Sequence, residues 1–313
     1  MRTGGAIQNG LAFIGFLTKS KFRNMHVAVS PELKEEIPKE WVKLIPNLIF
    51  IEGGGNFTEI LKIRKQMKYI ENHISPKIVF SLSGPPYWLA NGVHISGFAK
   101  PQYLYPDIEK LITKNLNPFQ GLKRKTKLAY QRRVFKKMDY LVGQTDIVKK
   151  RACKSLGYPL KHFHIVQNSY SNLFYDSIND ARKNNEGEID NQKTKVFIPS
   201  AYYIHKNLEI VPHIARVLKK YKKDVVFIFT IDESSRGWSK IISLTKKFNV
   251  SNMFKTVGQI PHKKLAFEYF NSDIVLLPTL LECSSAVYPE AMIAAKPIIT
   301  TDLDFSRALC GEA

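Results

Sequence analysis

The sequence is poor in the residues that build disulfide, metal and membrane-spanning structures. Its three cysteines, Cys153, Cys283 and Cys310, lie far apart and form no CxxC pair. A sparse, odd set of thiols is typical of proteins that stay reduced. No HExxH sequence occurs, and we expect no metal site. These absences exclude a disulfide-rich secreted domain and favour buried, unreactive thiols.

Long apolar runs and secretory features are also missing. No stretch approaches the roughly 20 apolar residues that a helix needs to cross a bilayer. The N-terminus lacks the charged-then-apolar layout of a signal peptide. We therefore expect the chain to stay in the cytoplasm.

Acidic residues are scarce beside basic ones, with 27 Asp and Glu against 47 Lys and Arg and a net charge of +20. Such a charge attracts polyanions, and the partner could be nucleic acid, an anionic membrane face or a phosphorylated substrate. No helix-turn-helix, zinc or RNA-binding motif is present, so we expect no specific nucleic-acid partner.

Apolar residues are plentiful, and their arrangement predicts an α/β fold. They make up 44% of the 313 residues, enough for one or two cores. Short apolar runs alternate with amphipathic segments of helical length, which predicts parallel sheets covered by helices. The expected strands are His26–Val29, Leu48–Ile51, Ile78–Leu82, His94–Phe98, Tyr140–Gly143, His164–Gln167, Val196–Pro199, Val225–Thr230, Met253–Val257, Ile274–Leu277 and Pro297–Thr300. The expected helices are Ala6–Thr18, Asn56–Glu71, Lys123–Met138, Asp146–Leu156, Leu208–Tyr221, Gly237–Phe248, Lys263–Phe270 and Val287–Ala294.

A polar stretch divides the chain into two predicted domains. Asp176–Lys195 has almost no large apolar residue and predicts a linker at 176–194, between domains 1–175 and 195–313. The alternation of strands and helices in both parts predicts two Rossmann-like domains. In such domains ligands bind at the carboxyl ends of the strands, and a cleft between the two domains is the expected site. We also expect truncation at both ends, with a first strand and a closing helix missing.

The segment from Asp273 to Thr301 carries the most chemical information. A buried strand leads to Glu282, a loop of small residues follows, and the next helix carries Glu290. Small residues let a ligand approach the backbone, and N–H groups at a helix start can hold phosphate. The carboxylates can accept hydrogen bonds from sugar and ribose hydroxyls. The alternative is that Glu282 caps the helix and Glu290 is solvated.

With its flanks this segment resembles the Glu-x7-Glu motif of the retaining family 4 glycosyltransferases. The match comprises Pro278, Glu282, seven intervening residues, Glu290 and Pro297. The resemblance implies the GT-B fold, in which two Rossmann-like domains face each other across a cleft. It implies that Glu282 contacts the donor sugar and Glu290 the ribose. Where the family often has Gly-Phe-Gly, this chain has Cys-Ser-Ser, and we expect phosphate contacts from Ser284, Ser285 and Ala286.

Other segments resemble further donor-binding positions of the family. In the strand-loop sequence VFIPSAYYIHKN, Lys206 is expected to contact the diphosphate and assist its departure. Ser200 stands near the place where many relatives carry an arginine. The segment around Gly258 resembles the turn that packs beside the nucleotide base, where a glycine allows close approach of the backbone. The alternative is a glycine that only ends a strand. The remaining expected donor-binding residues are Gly4, Gly5 and Asn168.

The acceptor side is less distinctive. Tyr87 and Trp88 follow a turn rich in Gly and Pro, and aromatic faces pack well against sugar rings. A hydrophobic plug under a loop is the alternative. His94 and Lys100 are the nearby polar residues that we expect to contact the acceptor.

The segment Gly121–Lys137 is strongly basic, with Leu128, Val134 and Phe135 interleaved. It resembles the basic amphipathic helix by which several relatives sit on anionic membranes, which implies peripheral contact with the inner face of the cell membrane. A solvated helix face is the alternative. The residues expected at the membrane are Lys123, Arg124, Lys125, Lys127, Arg132 and Arg133.

The resemblance predicts a hexosyltransferase-type enzyme. It would move a sugar from a nucleotide diphosphate-sugar to a polysaccharide or lipid-linked acceptor, with retention of configuration and without a cofactor or obligate metal. The departing phosphate would help to deprotonate the acceptor. Assembly of cell-envelope polysaccharide is the implied setting. The alternatives are a catalytically degenerate GT-B protein and a sugar-nucleotide epimerase of the same fold.

Overall fold

A computed structural model describes residues 5–22, 24–53, 57–114, 116–183, 193–260 and 262–311. The chain divides into two compact units, Met1–Asn168 and Ser169–Ala313. All pairings between described strands are parallel, which confirms the predicted α/β class. Over these residues, no helix combines the length and the apolar character needed to cross a membrane.

The N-terminal unit alternates helices and strands over its described residues. This unit also contains two 3-10 turns, Pro101–Tyr103 and Leu160–His162. The elements are α1 Gly5–Lys19, β1 Val27–Val29, α2 Pro31–Lys34, α3 Lys39–Leu44, β2 Leu48–Phe50, α4 Phe57–Ile74, β3 Ile78–Ser81, β4 Val93–Gly97, α5 Pro106–Thr113, α6 Pro118–Phe135, β5 Tyr140–Gly143, α7 Asp146–Leu156 and β6 Phe163–Ile165.

The strands of this unit form a β1-β2 pair and a four-stranded sheet in the order β3-β4-β5-β6. Helix α1 packs Leu11 and Ile14 into one core cluster with Val29 of β1. Its Phe13 also meets Phe80 of β3, with ring centroids 6.3 Å apart. One helix therefore contacts strands of both sheets.

An aromatic cluster anchors helix α6 to the four-stranded sheet. The ring of Phe98, which follows β4, lies 5.0 Å from that of Phe135 and 6.1 Å from that of Phe163. All three side chains are fully buried, so they contribute strongly to the core of this unit. Burial of Val134 and Phe135 fixes which face of α6 points inward.

The C-terminal unit repeats the alternation more regularly. Two 3-10 turns, Ile204–Lys206 and Ser251–Met253, lie within it. The elements are α8 Asn172–Lys183, β7 Thr194–Ile198, α9 Ile210–Lys220, β8 Val225–Phe229, α10 Arg236–Lys247, β9 Phe254–Thr256, α11 His262–Phe270, β10 Ile274–Leu277, α12 Val287–Ile293, β11 Ile298–Thr300 and α13 Asp304–Cys310.

The five strands of this unit form one sheet in the order β11-β10-β7-β8-β9. The central strands read as continuous apolar runs because both faces of a parallel sheet are covered. Leu208 and Trp238 belong to the core cluster formed with α9 and α10, whereas Phe174 and Tyr269 belong to the cluster formed with α8 and α11. Because β7 and β10 are neighbours, the loops that leave their carboxyl ends start side by side.

Among the described residues, five helices lie where the sequence predicted none: α2, α3, α5, α8 and α13. Helix α8 occupies Asn172–Lys183, although a linker was expected from 176 to 194. Its Phe174, Ile178 and Ala181 recur at helical spacing and are buried, while polar residues on the other face make the segment resemble a linker. Residues 184–192 lie outside the described residues. Helix α13, with Phe305 buried, follows β11 where we expected no closing helix.

Alanine substitutions at two glycines should change the free energy of unfolding in opposite directions. An alanine methyl at Gly97 in β4 would overlap the carbonyl oxygen of Leu82, whereas one at Gly121 in α6 would meet no heavy atom within 4 Å. We expect Gly97→Ala to lower the free energy of unfolding by about 2 kcal/mol or more through overpacking. Gly121→Ala should raise it by about 0.5–1 kcal/mol. Urea unfolding measures both; equal effects would contradict the packing described around β4.

Candidate functional site

The loops that follow β7 and β10 are hydrogen-bonded to each other. The loop after β7 ends in the 3-10 turn Ile204–Lys206, and Asn207 closes the turn in the left-handed conformation, with φ 54°. The backbone carbonyl of His205 accepts a hydrogen bond from the Leu280 N–H at 2.8 Å and one from the Thr279 hydroxyl at 3.2 Å. These bonds hold the two loops together at the carboxyl edge of the sheet.

Lys206 and Glu282 form an ion pair at this edge. The Lys206 Nζ lies 2.6 Å from Glu282 Oε2, and the two side chains are only 19% and 13% exposed. A partly buried pair is less screened by water than an exposed one, and it offers a cation and a carboxylate in a fixed arrangement. The structure thus brings together Lys206, which the sequence analysis expected at the diphosphate, and Glu282, which it expected at the donor sugar; these are the two residues that we predict to be catalytic.

The small-residue loop leads directly from Glu282 into helix α12. Ser285 accepts a hydrogen bond on its Oγ from the Val287 N–H at 3.4 Å, and Ala286 accepts one on its carbonyl oxygen from the Glu290 N–H at 3.0 Å. Ser284 and Ser285 are half-buried, and Ala286 is buried. Their expected contact with a diphosphate stays a prediction.

Glu290 lies in the core rather than in solvent, so the solvated alternative is wrong. Its side chain is 1% exposed, and its Oε2 accepts a hydrogen bond from the Tyr269 hydroxyl at 2.9 Å. Burial raises the pKa of the Glu290 carboxyl to about 7, against a smaller lowering by the Tyr269 hydrogen bond. Its expected contact with ribose stays a prediction.

Two further expected donor residues follow strands of the same sheet, with β8 between those strands. Gly258 follows β9 with φ 70°, and a Cβ there would meet no heavy atom within 4 Å, so the backbone conformation rather than crowding favours glycine. Its N–H donates to the Thr256 hydroxyl at 3.1 Å. Ser200 follows β7, is 8% exposed, and donates its hydroxyl to the Ala201 carbonyl at 3.1 Å.

His94 in the N-terminal unit is a buried residue of the fold. It is 2% exposed; its Nε2 lies 3.0 Å from Ser81 Oγ, and its Nδ1 accepts from the Ala90 N–H at 3.2 Å. Because Nδ1 accepts, a neutral ring carries its proton on Nε2, and both nitrogens are used. Burial also lowers the pKa of the ring. Its expected contact with the acceptor stays a prediction.

The other expected residues of the N-terminal unit differ in exposure. Tyr87 is 46% exposed. Trp88 is half-buried and packs on His94 with ring centroids 5.4 Å apart, in keeping with the plug alternative. Lys100 and Asn168 are half-buried. Gly4 lies outside the described residues, and Gly5 begins helix α1.

Helix α6 presents both charge and apolar side chains to solvent. Lys123, Lys125, Lys127, Arg132 and Arg133 are exposed, while Arg124 pairs with Glu109. Arg132 also donates to the Ser155 carbonyl. Of the apolar residues noted in the sequence, Val134 and Phe135 face the core. The outward apolar side chains, which sequence analysis missed, are Phe119, Leu122 and Tyr130 at 76%, 62% and 58% exposure.

Comparison with solved structures identifies the fold class as GT-B. WaaG, a glycosyltransferase involved in lipopolysaccharide biosynthesis, is 15% identical with a TM-score of 0.70, over 99% of this chain and 81% of that one. Anabaena Alr3699/HepE in complex with UDP-glucose is 11% identical with a TM-score of 0.67, over 97% and 79%. A structure described as a UDP-N-acetylglucosamine 2-epimerase of Listeria monocytogenes is 10% identical with a TM-score of 0.55, over 97% and 78%. At these identities the likeness establishes the fold alone.

The family follows from the C-terminal part of the chain. Residues 179–311 match the family model of glycosyl transferases group 1. A search of curated proteins found no match. The C-terminal unit therefore matches the family that the sequence analysis predicted, and the matched residues include Lys206, Glu282 and Glu290. Membership of the retaining family 4 stays a prediction.

The buried Glu290 predicts a pH-dependent stability. Its carboxyl has a pKa raised from 4.5 to about 7, so its contribution to folding is complete below pH 4.5 and is lost as the pH rises through 7. Relative to Glu290→Gln, the wild-type protein should lose up to about 3 kcal/mol of unfolding free energy between pH 4.5 and 8.

Urea unfolding of both proteins at several pH values checks this. Glu233→Gln, at an exposed loop position, is the matched control and should follow the wild-type profile. Parallel profiles for wild type and Glu290→Gln would contradict the burial of an ionisable Glu290.

Proposed function

We propose that this chain transfers a hexosyl group from a nucleoside diphosphate-sugar to a polysaccharide or lipid-linked acceptor, with retention of configuration. The observation that carries the proposal is the Lys206–Glu282 pair, 2.6 Å apart at the carboxyl edge of a parallel sheet in a group 1 glycosyl transferase domain. This edge is where α/β sheets bind ligands.

The pair gives each residue a distinct role. Lys206 exchanges its partner carboxylate for a diphosphate oxygen and neutralises the charge that develops as the sugar–phosphate bond breaks. Glu282, released from Lys206, accepts hydrogen bonds from hydroxyls of the donor sugar. The electron pair of the broken bond stays on the diphosphate, and the acceptor proton passes to a phosphate oxygen as the new glycosidic bond forms. The reaction then needs no cofactor or obligate metal.

Neighbouring residues complete the proposed donor site. Glu290 holds the ribose hydroxyls, and Ser284, Ser285 and Ala286 contact the diphosphate where α12 begins. Gly258 lies beside the base, where its open surroundings admit a flat ring. Support for nucleotide binding comes by analogy from Alr3699/HepE, whose structures contain UDP-glucose and UDP.

An epimerase and a degenerate protein are the competing functions. The epimerase likeness is one of fold, at 10% identity, whereas the family match covers the residues of the site itself. The Lys206–Glu282 pair also argues against a catalytically degenerate protein. A partly buried charge pair carries a desolvation penalty, and a loop with only a structural role does not need such a pair. We therefore favour the transferase.

A donor-binding and turnover experiment tests the proposal. Binding of UDP, GDP and their sugars is measured by ligand-detected NMR, and release of the nucleoside diphosphate from the preferred sugar donor is measured as turnover. Lys206→Met should lower turnover by roughly 100-fold, because it removes the cation that stabilises the leaving group.

The matched control is Lys220→Met, which removes an exposed lysine at the end of α9 and should leave turnover unchanged. If no nucleotide bound, or if Lys206→Met were fully active, the transferase proposal would fail.

Helix α6 supports a second part of the proposal, peripheral contact with an anionic membrane on the cytoplasmic side. Lys125 and Lys127 are exposed in the same helix as Phe119 and Leu122, which are 76% and 62% exposed. Basic side chains attract anionic headgroups, and outward apolar side chains can enter the interface. A lipid-linked acceptor would be reached from such a surface.

Vesicle flotation tests the membrane contact. Each lysine near an anionic surface contributes about 1 kcal/mol, so Lys125→Glu with Lys127→Glu should weaken binding to phosphatidylserine-containing vesicles by about 30-fold or more. Lys220→Glu with Lys247→Glu changes the net charge equally on the C-terminal unit and should have little effect. Equal losses from both double variants would mean that net charge alone, not α6, drives the binding.

A further inference from the structure

Tyr269 is held rigidly inside the C-terminal unit. Its side chain is fully buried in α11 and packs edge-to-face against Phe174 of α8 and Phe197 of β7. The ring centroids are 5.4 Å and 5.1 Å apart, with interplanar angles of 85° and 82°. Aromatic contacts from two elements therefore fix the direction in which its hydroxyl points.

The hydroxyl points at Glu290. It donates to Glu290 Oε2 at 2.9 Å, across 21 residues of sequence. A buried hydroxyl and a buried carboxyl each need a hydrogen-bond partner, and here each supplies the other. The bond from Tyr269 on α11 therefore restrains the carboxyl group of Glu290 on α12.

We propose that Tyr269 is a positioning residue for the donor nucleotide, acting by holding the Glu290 carboxyl in the orientation that receives the ribose hydroxyls. With Oε2 restrained by Tyr269, Oε1 and the second lone pair of Oε2 can accept from the ribose diol. This role rests on the proposed function, in which Glu290 contacts ribose. Tyr269 itself need not touch the nucleotide.

The same hydrogen bond favours the ionised carboxylate. Burial raises the pKa of Glu290, and the Tyr269 hydroxyl opposes that rise. Charged acceptors form stronger hydrogen bonds than neutral ones, so the ionised form binds hydroxyls better. Tyr269 is the titratable group facing Glu290 from α11, and burial raises the pKa of its hydroxyl well above the usual tyrosine value. Phe174 and Phe197, which enclose it from α8 and β7, do not titrate.

The test compares Tyr269→Phe with Tyr288→Phe. The first keeps the aromatic packing and loses only the bond to Glu290. The second removes an equally buried hydroxyl on α12, which is bonded to Thr300 Oγ1 at 2.8 Å instead. UDP and GDP are titrated into each variant by calorimetry from pH 6 to 9, and the pKa of Glu290 is measured by carbon-13 NMR of its carboxyl group.

Tyr269→Phe should weaken nucleotide binding by about tenfold at pH 7, as expected for loss of a bond to a charged group. Its Glu290 pKa should rise, so the deficit should shrink toward pH 9, which a merely structural defect would not produce. Tyr288→Phe should bind as wild type does. In a Glu290→Gln background, Tyr269→Phe should add little further loss.

Two different failures are distinguishable. Wild-type binding and an unchanged Glu290 pKa in Tyr269→Phe would overturn the positioning role while leaving the donor site intact. Failure of the wild-type protein to bind either nucleotide would overturn the donor site, and the positioning role with it.

Discussion

The candidate functional site depends on the parallel pairing of β7 with β10. This pairing starts two loops side by side, and the His205 carbonyl then joins them through hydrogen bonds from Leu280 and Thr279. Only with both loops fixed do Lys206 and Glu282, 76 residues apart in sequence, meet at 2.6 Å. The energy that holds them comes chiefly from the apolar strands beneath, because ion pairs near a surface add little stability by themselves.

The two glutamates of the site experience different environments. Glu282 is compensated by a cation, whereas Glu290 sits among apolar groups with a tyrosine hydroxyl as its partner. Burial without a countercharge weakens the fold above neutral pH, and such destabilised groups are concentrated at functional sites. A donor that offers two hydroxyls to Glu290 would supply the hydrogen bonds that the interior lacks.

Much of this could be predicted from the sequence. Apolar runs marked the central strands, and the resemblance to the Glu-x7-Glu family marked Lys206 and Glu282. The burial of Glu290 could not be predicted, because a spacing along one helix does not say which neighbouring helix covers it. The bond from Tyr269 depends on the shared core cluster that brings residues of α11 and α12 together. Helix α8 was missed because its polar face outweighs a narrow apolar stripe.

The most direct test is a crystal structure of the chain with UDP or GDP bound. We expect ribose oxygens within about 3.2 Å of the Glu290 carboxyl. We also expect a diphosphate oxygen to replace Glu282 as the partner of Lys206. A nucleotide bound away from the carboxyl edge of β7 and β10, with the Lys206–Glu282 pair unchanged, would contradict the proposed donor site.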